Sequence, residues 1–209
     1  MKNKTTSNKT TSNKTNSVRR ITICGMMIAI TIILAYTPIG MINLPIVSAT
    51  ISHVPTIITA IVVGPIEGII VGTAFGIISL FKAATSPSGL IDPLFVNPFI
   101  SVLPRIVIGI TAHYSYKGMG KLLKNSKVKE SISIAVAGCV GSMTNTVLVL
   151  GMLYFIYGKV LIEKMAVENL QAIRTMMLGI VASSGLAEMI ISACIAVIVA
   201  KALKKALHI

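Results

Sequence analysis

The sequence predicts an all-α protein: a six-helix transmembrane bundle with both termini cytosolic. Three observations predict it. Of the 209 residues, 54% are hydrophobic and only 12% are charged, with a mean hydropathy of +0.86. A soluble domain carries about 25% charged residues, so this chain cannot cover its own surface in water. The apolar residues arrive in long blocks rather than in alternation, the pattern of helical spans and not of outer-membrane strands. The lysines and arginines, which give a net charge of +13, gather at the ends of those blocks.

Residues 1–17 repeat a Thr-Thr-Ser-Asn-Lys phrase and contain almost nothing apolar, so they are expected to form a disordered basic cytosolic tail. The membrane domain follows over 18–206. Its first span is expected at 18–36. A signal peptide would need a very long basic region ahead of Ile21–Ala35, with Val47-Ser48-Ala49 as its only passable cleavage site, so an uncleaved span is expected. The remaining spans are expected at 48–63, 66–82, 98–116, 131–157 and 178–202. Gly64-Pro65 divides what would otherwise be one helix from Ile51 to Phe81, because proline lacks the amide donor and restricts its predecessor. Charge parity agrees with the division. With six spans, the six cations of Lys2–Arg20, the five of 117–130 and the three of Lys201–Lys205 all lie inside; merging the two halves would put five lysines outside. The second span is short.

These cations mark topology rather than a nucleic-acid surface, since no aromatic residues interleave with them for base stacking. Cys24, Cys139 and Cys194 lie singly in apolar blocks and read as small buried hydrophobes. His53, His113 and His208 show no ligand spacing, so no metal is expected. Neither HExxH, GxSxG, Walker nor paired-carboxylate patterns occur, and an enzyme is not expected. With no nucleotide-binding motif the chain cannot drive transport with ATP by itself. Six spans without an inverted repeat are few for a self-sufficient secondary transporter.

Gly68, Gly72 and Gly76 fall on one face of the third span and allow close approach of a neighbouring backbone. Gly25 and Ala29 repeat the spacing on the first span, where they suit either bundle packing or a partner. Polar residues at membrane depth are costly and therefore candidates for function. Glu67, beside Gly64-Pro65, reads as a solvated turn residue. Arg105 follows Pro104 near the outer end of the fourth span, where it would snorkel outward, pair with Glu188 or clamp an anion. Asn145 lies near the middle of the fifth span. Ser184, Glu188 and Ser192 form a polar stripe on the sixth, with His53, Asp92 and Asn97 at the span mouths. The candidate ligand-binding set is Arg105, Asn145, Asn97, His53 and Glu188, converging on one outward-opening cavity. The alternative is an interhelical polar network that only glues the bundle.

Four stretches carry a resemblance to a known family: Gly25-Met-Met-Ile-Ala29, Ser48-Ala-Thr-Ile-Ser-His-Val-Pro55, Gly64-Pro65 with Gly68 and Gly72, and Leu103-Pro-Arg-Ile-Val-Ile-Gly109. Over 18–206 the chain resembles an S-component, the substrate-binding subunit of an energy-coupling factor (ECF) vitamin transporter, and the pantothenate-type branch most of all. The resemblance implies high-affinity vitamin capture at the cell membrane without a cofactor. It implies partnership with a transmembrane coupling subunit and two ATPase subunits, and release inward by rotation of the whole component in the membrane. It also implies that Gly25 and Ala29 meet the coupling subunit, with Gly where Ala is usual, that Arg105 binds the vitamin carboxylate, and that Asn145 binds its hydroxyl or amide. Independently, five Phe, five Tyr and no Trp offer few flat surfaces for stacking a ring system. Riboflavin is the second substrate reading, and a non-transporting membrane scaffold is the reading from a different class. In intact cells, cysteines placed in 117–130 are expected to resist membrane-impermeant thiol reagents and cysteines in 84–97 to react; the reverse pattern would invert the topology.

Overall fold

The computed structural model describes residues 3–42, 49–87, 91–123, 128–165, 167 and 169–207, with only the backbone of 3–16. The start of the second expected span, Lys124, Lys127 and His208 lie outside the described residues. Helix α1 runs Asn3–Tyr36. The polar stretch expected to be disordered therefore continues the helix of the first span. Extending an existing helix adds one hydrogen bond per residue fixed, and only nucleation is expensive; Thr, Ser, Asn and Lys each lower it by less than about 0.7 kcal/mol. Among the described residues, four helical stretches are long and apolar enough to cross a membrane: Ser17–Tyr36, Pro65–Thr85, Lys129–Met165 and Leu170–Leu207.

The second expected span is not one of them. Its helix, α2, covers only Val54–Val62, about 14 Å at 1.5 Å per residue, half of the roughly 30 Å hydrocarbon core. All nine of its residues are buried, so α2 is an internal segment wrapped by protein. Ahead of it a two-rung antiparallel ladder pairs β1 (Met41–Ile42) with β2 (Ala49–Thr50) in the register Met41↔Thr50 and Ile42↔Ala49. The break expected at Gly64-Pro65 is present. Gly64 takes φ +152°, a backbone open to glycine, and Pro65 starts α3 (Pro65–Thr85) where its missing donor costs nothing.

The fourth expected span divides at Val102 into α4 (Pro98–Ser101) and α5 (Leu103–Leu122). Helix α5 has spanning length, but Arg105, His113, Lys117 and Lys121 lower its apolarity. That composition is tolerable because α5 packs against α2, α3 and α6 instead of facing lipid on all sides. The fifth span extends as α6 (Lys129–Met165), with non-helical dihedrals at Tyr157 where 131–157 was expected to end. The sixth begins earlier than expected, as α7 (Leu170–Ile180), and passes through a π-helical turn at Val181–Gly185 into α8 (Leu186–Leu207).

The glycine stripe on α3 is a packing device. A methyl group built on Gly68 would lie 2.7 Å from Ala60 Cβ and 3.2 Å from Gly109 Cα, and one on Gly76 would lie 2.7 Å from Val102 Cα. Helices α3 and α5 thus cross with backbones nearly touching, and α2 packs at the same place. At one end of the bundle Arg20 pairs with Glu67 at 2.6 Å. Glu67 is accordingly buried and ion-paired, not the solvated turn residue its position suggested, because α1 delivers a guanidinium over the start of α3. There too Arg19 donates to the Leu207 carbonyl, and Lys204 reaches Glu130 at 2.9 Å and the Tyr116 hydroxyl at 2.5 Å. At the opposite end Lys82 donates to Ala35 O at 2.6 Å and closes α1.

A methyl group on Gly109 would lie 2.6 Å from the Gly68 carbonyl carbon, whereas one on Gly118 would meet nothing within 4 Å. Gly109→Ala is expected to destabilise by about 1–3 kcal/mol. Gly118→Ala is expected to stabilise by a few tenths to about 1 kcal/mol through helix propensity alone. Thermal unfolding in detergent, read as opposite shifts of Tm, checks both.

Candidate functional site

Arg105 enters the interior from the first turn of α5, directed by Pro104 at the helix start. Its carbonyl sits under Gly72, where a methyl group would be only 2.2 Å away, so the α3–α5 crossing anchors its backbone. The side chain is 6% exposed and does not snorkel to water. Its guanidinium carbon lies 5.2 Å from the centre of the Phe75 ring and 5.6 Å from that of Phe95, and Nη1 donates to Ile100 O at 2.8 Å. Phe75 comes from α3 and Phe95 from the short helical turn Asp92–Val96. Two rings and one carbonyl thus fix the plane of the fork, each ring adding about 0.5–2 kcal/mol of cation–π attraction. Nε has no hydrogen-bond partner in the protein.

Glu188 does not pair with Arg105. Arg20 pairs with Glu67 and Lys204 with Glu130, whereas Glu188 and Arg105 form no salt bridge with each other. Its two oxygens are otherwise occupied. Oε1 accepts the Thr50 amide at 2.7 Å and Oε2 accepts the Thr146 hydroxyl at 3.2 Å. Glu188 therefore fastens strand β2 and helix α6 to α8. Ser192, one turn further along α8, meets His53 Nε2 at 2.9 Å. His53 Nδ1 has no hydrogen-bond partner in the protein.

Asn97 is likewise engaged. Its Oδ1 accepts Phe99 N at 3.0 Å as the N-cap of α4, and its Nδ2 donates to the Tyr157 hydroxyl at 3.3 Å. Ser101 donates to the Phe95 carbonyl. Together these bonds shape the turn that carries Phe95 over Arg105. Asn145, 7% exposed on α6, keeps Oδ1 without a partner. Of the five candidate ligand residues, Arg105, Asn145 and His53 retain unpartnered atoms; Glu188 and Asn97 use the groups described to hold structure.

Sequence reading missed Phe75, Phe95, Thr50 and Thr146. Phe75 and Phe95 are ordinary apolar residues until the fold stacks them on Arg105. The Thr50 contribution is a main-chain amide, which side-chain patterning does not register. Thr56 and Ser142 were also missed, and both are fully buried with unpartnered hydroxyls.

Gly25 and Ala29 lie away from this interior, on the outward face of α1. A methyl group on Gly25 would meet nothing within 4 Å. Ile21, Met26, Ile30 and Ile33 are exposed beside them, while Ile23, Cys24, Met27 and Thr31 face inward.

The family described as "ECF transporter, substrate-specific component" matches residues 19–200. The chain is 30% identical over 173 residues, 77% of its own length and 80% of the relative's, to the pantothenic acid transporter PanT of Lactococcus lactis subsp. cremoris. It is 29% identical over 117 residues, 54% of each chain, to the pantothenate transporter PanT of Leuconostoc mesenteroides subsp. mesenteroides.

If Arg105 and Glu188 were a structural ion pair, removing the cation would strand the anion, and Glu188→Gln would relieve Arg105→Ala. The geometry gives the opposite expectation. Glu188→Gln should itself cost about 1.5–3 kcal/mol, since an amide nitrogen would face one of the two donors, and it should add to the loss in Arg105→Ala. Tm values of both single variants and the double variant decide it.

Proposed function

Because the chain belongs to the family of ECF-transporter substrate-specific components, we propose that it captures pantothenate on the outer face of the cell membrane and passes it inward with partner subunits that hydrolyse ATP. Arg105 carries this reading: a buried guanidinium, oriented by two rings and a carbonyl, with Nε unpartnered. A ligand carboxylate is its complement, because guanidinium and carboxylate match in charge and in plane. Pantothenate carries a carboxylate at one end, an amide in the middle and two hydroxyls at the other end. Asn145 Oδ1 accepts its amide proton. His53 lines the same space, and Asn97 and Glu188 hold the turn and the strand that frame it. The relatives named as pantothenate transporters support the choice of vitamin over riboflavin.

The polypeptide crosses the membrane several times with both termini cytosolic, in keeping with its basic ends. It acts as a binding subunit rather than an enzyme and uses no cofactor. Its outward α1 face, with small residues at Gly25 and Ala29, meets a transmembrane coupling subunit that works with two ATPase subunits. Close van der Waals approach is the main association term between helices in lipid, and these two positions permit it.

Equilibrium dialysis of the purified protein with labelled pantothenate, in detergent and in nanodiscs, tests the ligand. Saturable binding at or below micromolar concentration is expected. Arg105→Lys keeps the charge and loses the planar fork, so affinity should fall by roughly 1.5–3 kcal/mol, one to two decades in Kd. No binding of pantothenate or riboflavin would end the capture reading. In the same assay Gly25→Leu should bind normally, while uptake into cells is lost; normal uptake would remove α1 as the docking face.

A further inference from the structure

Glu188 is buried on α8 and, among the described residues, makes no salt bridge. Its two hydrogen-bond neighbours differ in kind. The Thr50 amide at Oε1 can only donate. The Thr146 hydroxyl has one proton and two acceptors within reach: Glu188 Oε2 at 3.2 Å and, one turn back on α6, Ser142 O at 3.3 Å. One proton cannot serve both. If the carboxylate is ionised, Thr146 turns to it and the Ser142 carbonyl loses its side-chain donor. If the carboxyl is protonated, Oε2 donates to Thr146 Oγ, Thr146 donates to Ser142 O, and both contacts are made at the same heavy-atom positions. The arrangement therefore holds Glu188 in either charge state without moving a helix.

What selects the state is the charge around it. Helix α8 packs against α2, α6, β2 and the π-helical turn. From β2 and α6, Glu188 meets the Thr50 amide and Thr146, which do not titrate, and the turn Val181–Gly185 carries no titratable residue. From α2 the titratable group is His53, which meets Ser192 one turn along α8 from Glu188. From α5, the Arg105 charge acts on Glu188 through space. Without ligand, one cation and one anion balance. A carboxylate bound at Arg105 adds a second anion, and two carboxylates in one low-dielectric interior resist being ionised together. The ligand's own carboxylate is held by the guanidinium fork, which leaves Glu188 to take the proton. His53 is the poorer receiver. An imidazolium carries N–H on both nitrogens, and Nδ1 has no acceptor in the protein, whereas a proton on Glu188 falls on Thr146.

We propose that Glu188 is a proton-binding site coupled to capture: as an anionic ligand settles on Arg105, Glu188 Oε2 takes one proton from solvent and the Thr146 hydroxyl turns from Glu188 to Ser142 O. The inference rests on the capture reading above and deepens it, because ligand and proton then enter together and the interior keeps one cation and one anion. Arg105 stays charged throughout. A neutral ligand of the same shape requires no proton. Since capture of the anion consumes a proton, its affinity rises as pH falls, by about tenfold per pH unit wherever uptake is one proton per ligand.

Titration calorimetry of the full-length protein in nanodiscs, run at one pH in phosphate and in Tris, counts the protons taken up, because the two buffers differ in ionisation enthalpy. With pantothenate near neutral pH, where its carboxylate is ionised, about one proton per ligand is expected. The primary-amide analogue of pantothenate should bind without proton uptake. Glu188→Gln fixes the neutral form. It is costly in the ligand-free protein, where the anion is preferred, but with ligand bound its amide donates to Thr146 as the acid does. That variant should bind pantothenate with no proton uptake and with a level affinity across about pH 6–8. Native binding without uptake overturns this inference and leaves the capture reading standing. Uptake that persists in Glu188→Gln places the proton on His53 or on the ligand and overturns the assignment. Should that variant fail to fold, the native proton count and the amide analogue still decide, since equal uptake with both ligands also overturns the inference. Failure of the native protein to bind pantothenate overturns the capture reading and this inference together.

Discussion

Hydrocarbon offers no hydrogen bonds, and the organisation of this protein follows from that constraint. Every polar atom inside the bundle must find a partner there or carry a cost. Most do find one. His113 Nδ1 meets Ala60 O at 2.8 Å, His53 meets Ser192, and Glu188 receives both Thr50 and Thr146. These bonds tie α5 to α2, α2 to α8, and α8 to β2 and α6. The atoms left over belong mainly to Arg105, Asn145, Thr56, Ser142 and His53, on the three mutually packed helices α2, α5 and α6. Satisfied groups hold the bundle, and the proposed ligand site draws on the unsatisfied ones.

The site depends equally on close helix crossing. Glycines at 68, 72 and 76 let α3 lie against α5 with no side chain between them. That contact fixes the carbonyl of Arg105 while leaving its side chain to rise between Phe75 and Phe95. A second set of small residues serves α6 and α8, where a methyl group on Gly138 would fall 2.8 Å from Ala193 Cα. With backbones this near, small displacements of one helix are resisted by its neighbours, and the arginine plane is set by the fold rather than by its own flexible stem.

The two faces of α1 divide its duties. Ile23, Cys24, Met27 and Thr31 bury against the bundle, and Arg20 locks the base of the helix to Glu67. The opposite face leaves Gly25 and Ala29 among exposed isoleucines. A bundle already closed by its own ion pairs and glycine contacts can present that face to lipid or to another helix without losing its interior. The proposed capture and docking are thereby separable, since substitutions on the outward face need not disturb Arg105.

By itself the sequence determined the solvent, the helical class, the break at Gly64-Pro65 and the identity of Arg105 and Asn145 as membrane-depth polar residues. Hydropathy and proline chemistry act over a few neighbouring residues, so they can be read from order alone. The polar order of 3–16 gave no sign of the helix there, because composition registers burial and not the continuation of a helix begun elsewhere. Only the tertiary structure decided that the second expected span yields a nine-residue internal helix, Val54–Val62, rather than a full-length spanning helix, that Glu67 is buried against Arg20, and that Glu188 fastens Thr50 and Thr146 instead of neutralising Arg105. Each of those outcomes turns on which of several possible partners lies within about 3 Å. That is a matter of how helices far apart in sequence cross, and no local pattern encodes it.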